Sequence, residues 1–243
     1  AAVDVCLTEA ITNAIQHAHG SDASRPLNVS IAAEHGVLTL RVFDTVRSPD
    51  TLVIVNCAGR TRSIIGTQTL VNIGLPNRVA ALRNGTIGWT LAGYTLEQGQ
   101  TRRAPDVTPE GTAHAKAVAE RWAKRVDVSV INMATLRSWI AESGKRTLYR
   151  FDVRSPEEYE AGHPAGFVSA PGGQLVQATD QWVAVRGARI VLFDTDSVRA
   201  RMTASWLVQM GWDVAVVDGN LPASERGVFR PRRPSPPDVS ALA

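Results

Sequence analysis

Two stretches of this chain share one layout, and that repeat narrows the possible folds more than anything else in it. A β-branched run, TLVIV at 51–55, leads through Asn56 to Cys57, and Arg62 stands five residues further on. An apolar helical pattern follows over 62–73 and stops at Gly74; a further apolar run, RVAAL at 78–82, ends before Asn84-Gly85. Later, RIVLF at 189–193 leads to Asp194, and Arg199 again stands five residues on. A helical pattern then runs from about Ser197 to Met210, and Gly211 precedes VAVVDG at 214–219. Cys57 and Asp194, Arg62 and Arg199, Leu70 and Leu207, Val71 and Val208, and Gly74 and Gly211 all keep one offset without a gap. Strand, six-residue loop, helix, glycine and strand, twice over, predict parallel α/β units. Ligands of such sheets lie at the carboxyl ends of the strands, where Cys57 and Asp194 both fall.

This placement gives Cys57 a chemistry. The thiolate is the reactive form of cysteine, and it is favoured at a helix N-terminus or beside arginine. Successive backbone N–H groups in such a loop form an anion-binding nest, to which the helix dipole adds. Gly59 lets the loop curl, and Arg60 and Arg62 draw an anion. Cys57 therefore reads as a nucleophile awaiting an anionic substrate; the alternative is a buried structural cysteine at a strand end. Cys6, beside Leu7 on the apolar side of a helix predicted over 3–18, reads as packing.

Bulk properties exclude several classes. A net charge of +3 over 243 residues, with no Lys/Arg block, argues against nucleic acid as a partner. Two cysteines make no disulfide framework, which points to a reducing, cytoplasmic setting. No apolar run reaches the length of a membrane span, so no membrane partner is expected. The opening AAVDVCLTEA has no basic segment or cleavage-like site, so no signal peptide is expected; it starts inside a helical pattern without Met and reads as a truncated start. No metal site and no cofactor are expected, and the oligomeric state is left open.

Residues 51–89 resemble the catalytic half of a rhodanese, a sulfurtransferase. The likeness lies in the β-run into CAGRTRS, the helix to Gly74-Leu75-Pro76, and VAALRNGTIGW with Trp89. It implies that Cys57 carries sulfur as a persulfide, taken from thiosulfate or a similar small anionic donor and passed to a thiol or cyanide acceptor. It also implies that the amides of Ala58, Gly59, Arg60, Thr61, Arg62 and Ser63 cradle that sulfur. Arg60 and Arg62 would steer the donor, and Ser63 would help to cap the helix. Phosphatases that share this fold use a larger loop, Cys plus six to Arg; this one is a residue shorter and suits a single sulfur atom. FDVRSPEEYEAGHPAGF at 151–167 is similar to the opening signature of a whole rhodanese domain, in Asp152, Arg154, Glu158, Tyr159, Gly162 and His163. There Asp194 stands where the cysteine belongs. A carboxylate cannot carry sulfane sulfur, so Asp194 and Arg199 mark a degenerate second site, with Asp152 and His163 holding loops.

The first 44 residues differ. LTEAITNAIQHAHG resembles the N box of the GHKL ATPase superfamily, in the form found in anti-sigma-factor serine kinases. Glu9, Asn13 and His17 lie four apart on one helical stripe. In that family the Glu orients water or a substrate hydroxyl and the Asn binds Mg²⁺. A hairpin predicted over 27–44 ends at Asp44, where an adenine-binding Asp would stand. Thr45-Val46-Arg47 then replaces the glycine-rich segment, and the lid and later glycine box are missing. ATP binding is not expected, and Glu9, Asn13 and Asp44 read as a vestigial nucleotide site.

The expected fold class is α/β: rhodanese-like three-layer domains with a mostly parallel sheet, behind a partial GHKL α+β segment. Residues 1–45 form the GHKL-like fragment, 46–105 the catalytic half of a rhodanese domain, and 106–126 a linker helix opening on Thr108-Pro109. Residues 127–221 form a complete, cysteine-less rhodanese-like domain, and 222–243 a Pro/Arg-rich tail. The expected function is sulfur transfer at Cys57. Its rivals are a non-catalytic rhodanese-like binding module and a nucleotide-binding anti-sigma-type kinase fragment.

Overall fold

The computed structural model describes residues 30–34, 37–41, 50, 52–59, 61–96, 108–219 and 221–230. The helix predicted over 3–18 and most of the polar stretch before Thr108 lie outside them. Strands β1 (Ser30–Glu34) and β2 (Val37–Arg41) pair antiparallel, with Glu34 opposite Val37, as the hairpin pattern predicts.

The first repeat unit is a parallel strand–helix–strand: β3 (Val53–Val55), α1 (Thr61–Asn72) and β4 (Val79–Ala81), with Val53 opposite Val79. Val53, Val55 and Leu70 form its small core, with Ile73, Leu75 and Val79 packed against them. A short helix, α2 (Gly85–Leu91), follows directly, where the sequence shows only the end of a strand.

The second unit is larger. In chain order it holds α3 (Pro109–Arg125), β5 (Ser129–Ile131), α4 (Met133–Ala141), β6 (Leu148–Asp152), α5 (Pro156–Ala161), β7 (Val168–Ser169), α6 (Gly172–Gln177), α7 (Thr179–Trp182), β8 (Arg189–Phe193), α8 (Val198–Gln209) and β9 (Asp213–Val217). Its five strands run in the order β5-β9-β8-β6-β7, and every pairing is parallel. Successive side chains of a strand face opposite ways. Ile190, Leu192, Val214 and Val216 enter one core with Leu207 and Ala123, while Val191, Phe193, Ala215 and Val217 enter the other with Leu136 and Phe167. A sheet covered on both faces needs continuous apolar strands, which is why RIVLF and VAVV show no alternation.

Two segments join this body more closely than their composition predicts. Helix α3, read as a linker, buries Val118, Ala119 and Ala123 and packs along α8. Its start is as expected: Thr108 Oγ1 accepts from the Gly111 N–H at 3.0 Å, with Pro109 in the first turn. Residues 221–230, read as the start of a tail, are tied down by backbone groups. The His163 N–H donates to Glu225 O at 2.9 Å, the Glu225 N–H returns to His163 O at 3.1 Å, and the Gly227 N–H reaches Glu160 O at 3.0 Å. Pairing through the main chain leaves no trace in side-chain composition, so a Pro/Arg count could not show it.

The repeat holds in three dimensions. Helices α1 and α8 begin and end at equivalent residues, Thr61 with Val198 and Asn72 with Gln209. Both close in one way: the Leu75 N–H reaches Leu70 O at 3.1 Å, and the Trp212 N–H reaches Leu207 O at 3.0 Å. Gly74 and Gly211 supply the left-handed turn at φ 79° and 83°. The offset then breaks. Val53 pairs with Val79, whereas its counterpart Ile190 pairs with Val214, so the first unit uses two more residues to reach its second strand. The two helices also touch. Trp206 Nε1 donates to Thr69 Oγ1 at 2.9 Å, across a separation of 137 residues that is the repeat offset itself. Among the described residues no helix is long and apolar enough to cross a membrane.

Candidate active site

Cys57 lies just past the carboxyl end of β3, with 7% of its surface exposed. Its Sγ donates to Ser63 Oγ at 3.3 Å. Ser63, expected as a helix cap, thus faces the sulfur from the first turn of α1. Its hydroxyl can rotate to accept from a thiol or to donate to a thiolate. Ala58 and Thr61 are exposed, while Gly59 and Arg62 are half-buried. Arg60 lies outside the described residues, as do Glu9, Asn13 and Asp44.

The loop is held from a side that the sequence reading missed. The Thr86 N–H donates to Cys57 O at 3.0 Å and the Ile87 N–H to Ala58 O at 3.0 Å. Thr86 Oγ1 donates to Ala58 O at 3.1 Å. A helix start leaves its first N–H groups without intrahelical partners, and α2 spends two of them on this loop. The approach is close. A Cβ on Gly85 would lie 2.0 Å from Cys57 O and within 2.8–2.9 Å of Gly59 O and N, and Gly85 itself sits at φ +58°. Only glycine fits both the space and the backbone angle. The available signal was Asn84-Gly85 with Thr86 after an apolar run; seven residues are too few for a helical period to stand out.

The second loop carries different chemistry. Asp194 is 4% exposed at the end of β8. Its Oδ2 accepts from the Ala200 N–H at 3.1 Å, while its buried Oδ1 has no hydrogen-bond partner. Burial, and then the neighbouring Asp196, push its carboxyl up to about 7, against the pull of the Ala200 N–H and Arg199. The Arg199 guanidinium forms a two-pronged pair with Glu158, at 2.6 and 2.9 Å. Burial works to raise the Glu158 carboxyl, but the hydrogen bonds and charge of Arg199 win and hold it at about 2.

The signature residues around this loop hold the second unit together. Asp152 receives the backbone N–H of Arg154 at 3.1 Å and its guanidinium at 2.6–3.1 Å, and Arg154 also donates to Gly162 O at 2.7 Å. His163 stacks on Tyr159 with ring centroids 3.6 Å apart, and its Nδ1 meets Tyr159 O at 2.8 Å. A carbonyl only accepts, so Nδ1 carries a proton. Among the described residues no group of three His, Cys, Asp or Glu is placed to hold a metal ion.

Residues 134–224, which hold most of this parallel sheet, its signature and the Asp194 loop, match the rhodanese-like domain, and Cys57 lies outside that match. Residues 1–89 match the histidine kinase-like ATPase domain, so that match extends beyond Asp44 into the Cys57 unit. Among solved structures, the thiosulfate sulfurtransferase of Pseudomonas aeruginosa is 58% identical over 78% of this chain, with a TM-score of 0.72. The chain spans 37% of that enzyme's length. A rhodanese-related protein of Thermoplasma volcanium is 24% identical over 37% of this chain and 84% of its own, with a TM-score of 0.30. The 3-mercaptopyruvate sulfotransferase of Escherichia coli is 18% identical over 68% of this chain and 65% of its own, with a TM-score of 0.31. No curated protein matches the chain.

Proposed function

We propose that the protein is a sulfurtransferase that carries sulfane sulfur on Cys57 and works in a reducing compartment. The observation that carries this reading is the placement of Cys57: a buried thiol at the carboxyl end of a parallel strand, at the head of α1, in a loop whose carbonyls are held by α2. The 58% identity to a thiosulfate sulfurtransferase supports it. In the first step the Cys57 thiolate attacks the outer sulfur of thiosulfate. The S–S bond breaks, sulfite leaves with the electron pair, and Cys57 becomes a persulfide. In the second step a thiolate or cyanide attacks the outer sulfur, and Cys57 leaves as thiolate. Loop amides, with the Ser63 hydroxyl at 3.3 Å, face the negative sulfur in both states. Arg60 and Arg62 steer the anionic donor. Asp194 has no thiol, so the second unit serves as scaffold.

The test is intact mass after incubation with thiosulfate. We expect the wild-type chain to gain one sulfur, to lose it to cyanide, and the Cys57→Ala variant to gain none. A folded wild-type chain that gains nothing overturns the reading.

A second reading rests on the ATPase match over residues 1–89 and on Glu9, Asn13 and Asp44: a nucleotide site. The missing glycine-rich segment argues against it. We expect Mg²⁺-ATP to leave the melting temperature unchanged; a Mg²⁺-dependent rise would put nucleotide binding first.

A further inference from the structure

Catalysis by a cradle of amides depends on which way each peptide plane faces. A peptide is planar and trans, so its C=O and its N–H point in opposite directions. In the Cys57 loop both leading carbonyls are drawn to one place. Cys57 O accepts from the Thr86 N–H, and Ala58 O accepts from both the Ile87 N–H and the Thr86 hydroxyl, all at 3.0–3.1 Å. The N–H groups sharing those two planes belong to Ala58 and Gly59, and they must point away from α2. Thr86 is 3% exposed, so its hydroxyl has no competing water. The second unit has no such device: after β9, the described residues 221–230 form no helix.

We propose that Thr86 is a positioning residue for sulfur transfer, turning the Ala58 and Gly59 amides onto the Cys57 sulfur by holding the carbonyls behind them. The inference rests on the Cys57 reading above. Thr86 touches neither donor nor acceptor. It acts through the loop backbone, so its loss lowers the rate of the chemical step more than the affinity for thiosulfate.

The experiment compares Thr86→Val, Thr86→Ser and Thr90→Val in the full chain, by steady-state transfer from thiosulfate to cyanide, mass-detected sulfur loading and thermal melting. Thr86→Val keeps the shape and the backbone N–H and removes only the hydroxyl; Thr86→Ala, which adds no atom, replaces it if the valine variant does not fold. We expect Thr86→Val to lower kcat about tenfold or more, with KM for thiosulfate within about twofold. Thr86→Ser should restore kcat to within about twofold of wild type. Thr90→Val removes the Thr90 Oγ1 to Thr86 O bond, 3.0 Å long within the same helix, and should transfer as wild type. Wild-type kcat in Thr86→Val, or an equal loss in Thr90→Val, overturns the proposal while leaving Cys57 as carrier. A wild-type chain that takes up no sulfur removes both.

Discussion

Gly85→Ala will abolish sulfur loading at Cys57 and destabilise the first unit by on the order of 3 kcal/mol. Two terms act together. A side chain in the left-handed region costs about 1 kcal/mol. The new methyl would sit 2.0 Å from the Cys57 carbonyl oxygen, far inside van der Waals contact, and crowd the Gly59 backbone too. Neither neighbour is the free end of a side chain, so relief requires the loop or α2 to move. Movement breaks the Thr86 and Ile87 bonds that orient the loop. Thermal melting should show the lower stability, and mass after thiosulfate should show no added sulfur. A Gly85→Ala chain that loads sulfur as wild type does would refute this account of how the loop is held.

Asp194→Asn will stabilise the protein above neutral pH and leave it unchanged in acid. Burial and Asp196 raise the folded carboxyl from its ordinary 3.8 to about 7. A group whose pKa rises on folding favours the folded state while protonated. Its contribution is complete below about pH 4, declines as pH climbs, and is lost above about 7. At alkaline pH the wild type therefore carries a buried carboxylate with one unpartnered oxygen, a penalty on the order of 4 kcal/mol. Asparagine keeps the acceptor for the Ala200 N–H, and its NH₂ can donate from the place where Oδ1 has no partner. Denaturant unfolding at pH 4 and pH 8 measures both ends. The variant's advantage should be absent at the first and largest at the second; an equal advantage at both would assign the effect to packing rather than titration.

The sequence carried the units whose periodicity is long and whose strands are buried on both faces. The offset linking Leu70 to Leu207 and Gly74 to Gly211 located α1 and α8, because a helix of 12 residues and its glycine stop constrain each other. Thr108-Pro109 marked the start of α3 because a cap is written in one local residue pattern. The reading faltered where structure depends on main-chain partners. Helix α2 has seven residues and no side-chain cap, and the carbonyls that accept from its first N–H groups belong to the Cys57 loop, far away in the chain. Residues 221–230 are fastened by His163 and Glu160 through backbone atoms. For the candidate site, the strand leading to Cys57 and the helix that starts behind its loop were legible from local order. Thr86 was not, since its part depends on a contact 28 residues away.

The hydrogen bond between Trp206 and Thr69 has an evolutionary reading. Residues at matching places in two copies of one motif meet each other, as a residue meets its own twin across the axis of a symmetric homodimer. Identical subunits would have to place the same side chain on both sides of that axis. Joining the copies in one chain lifts the restriction, so one side can hold an indole that only donates while the other holds a hydroxyl that accepts. The same freedom allows one loop to keep a thiol and the other to take a carboxylate. Asymmetry at the seam and asymmetry of chemistry are both open to two copies carried in one chain.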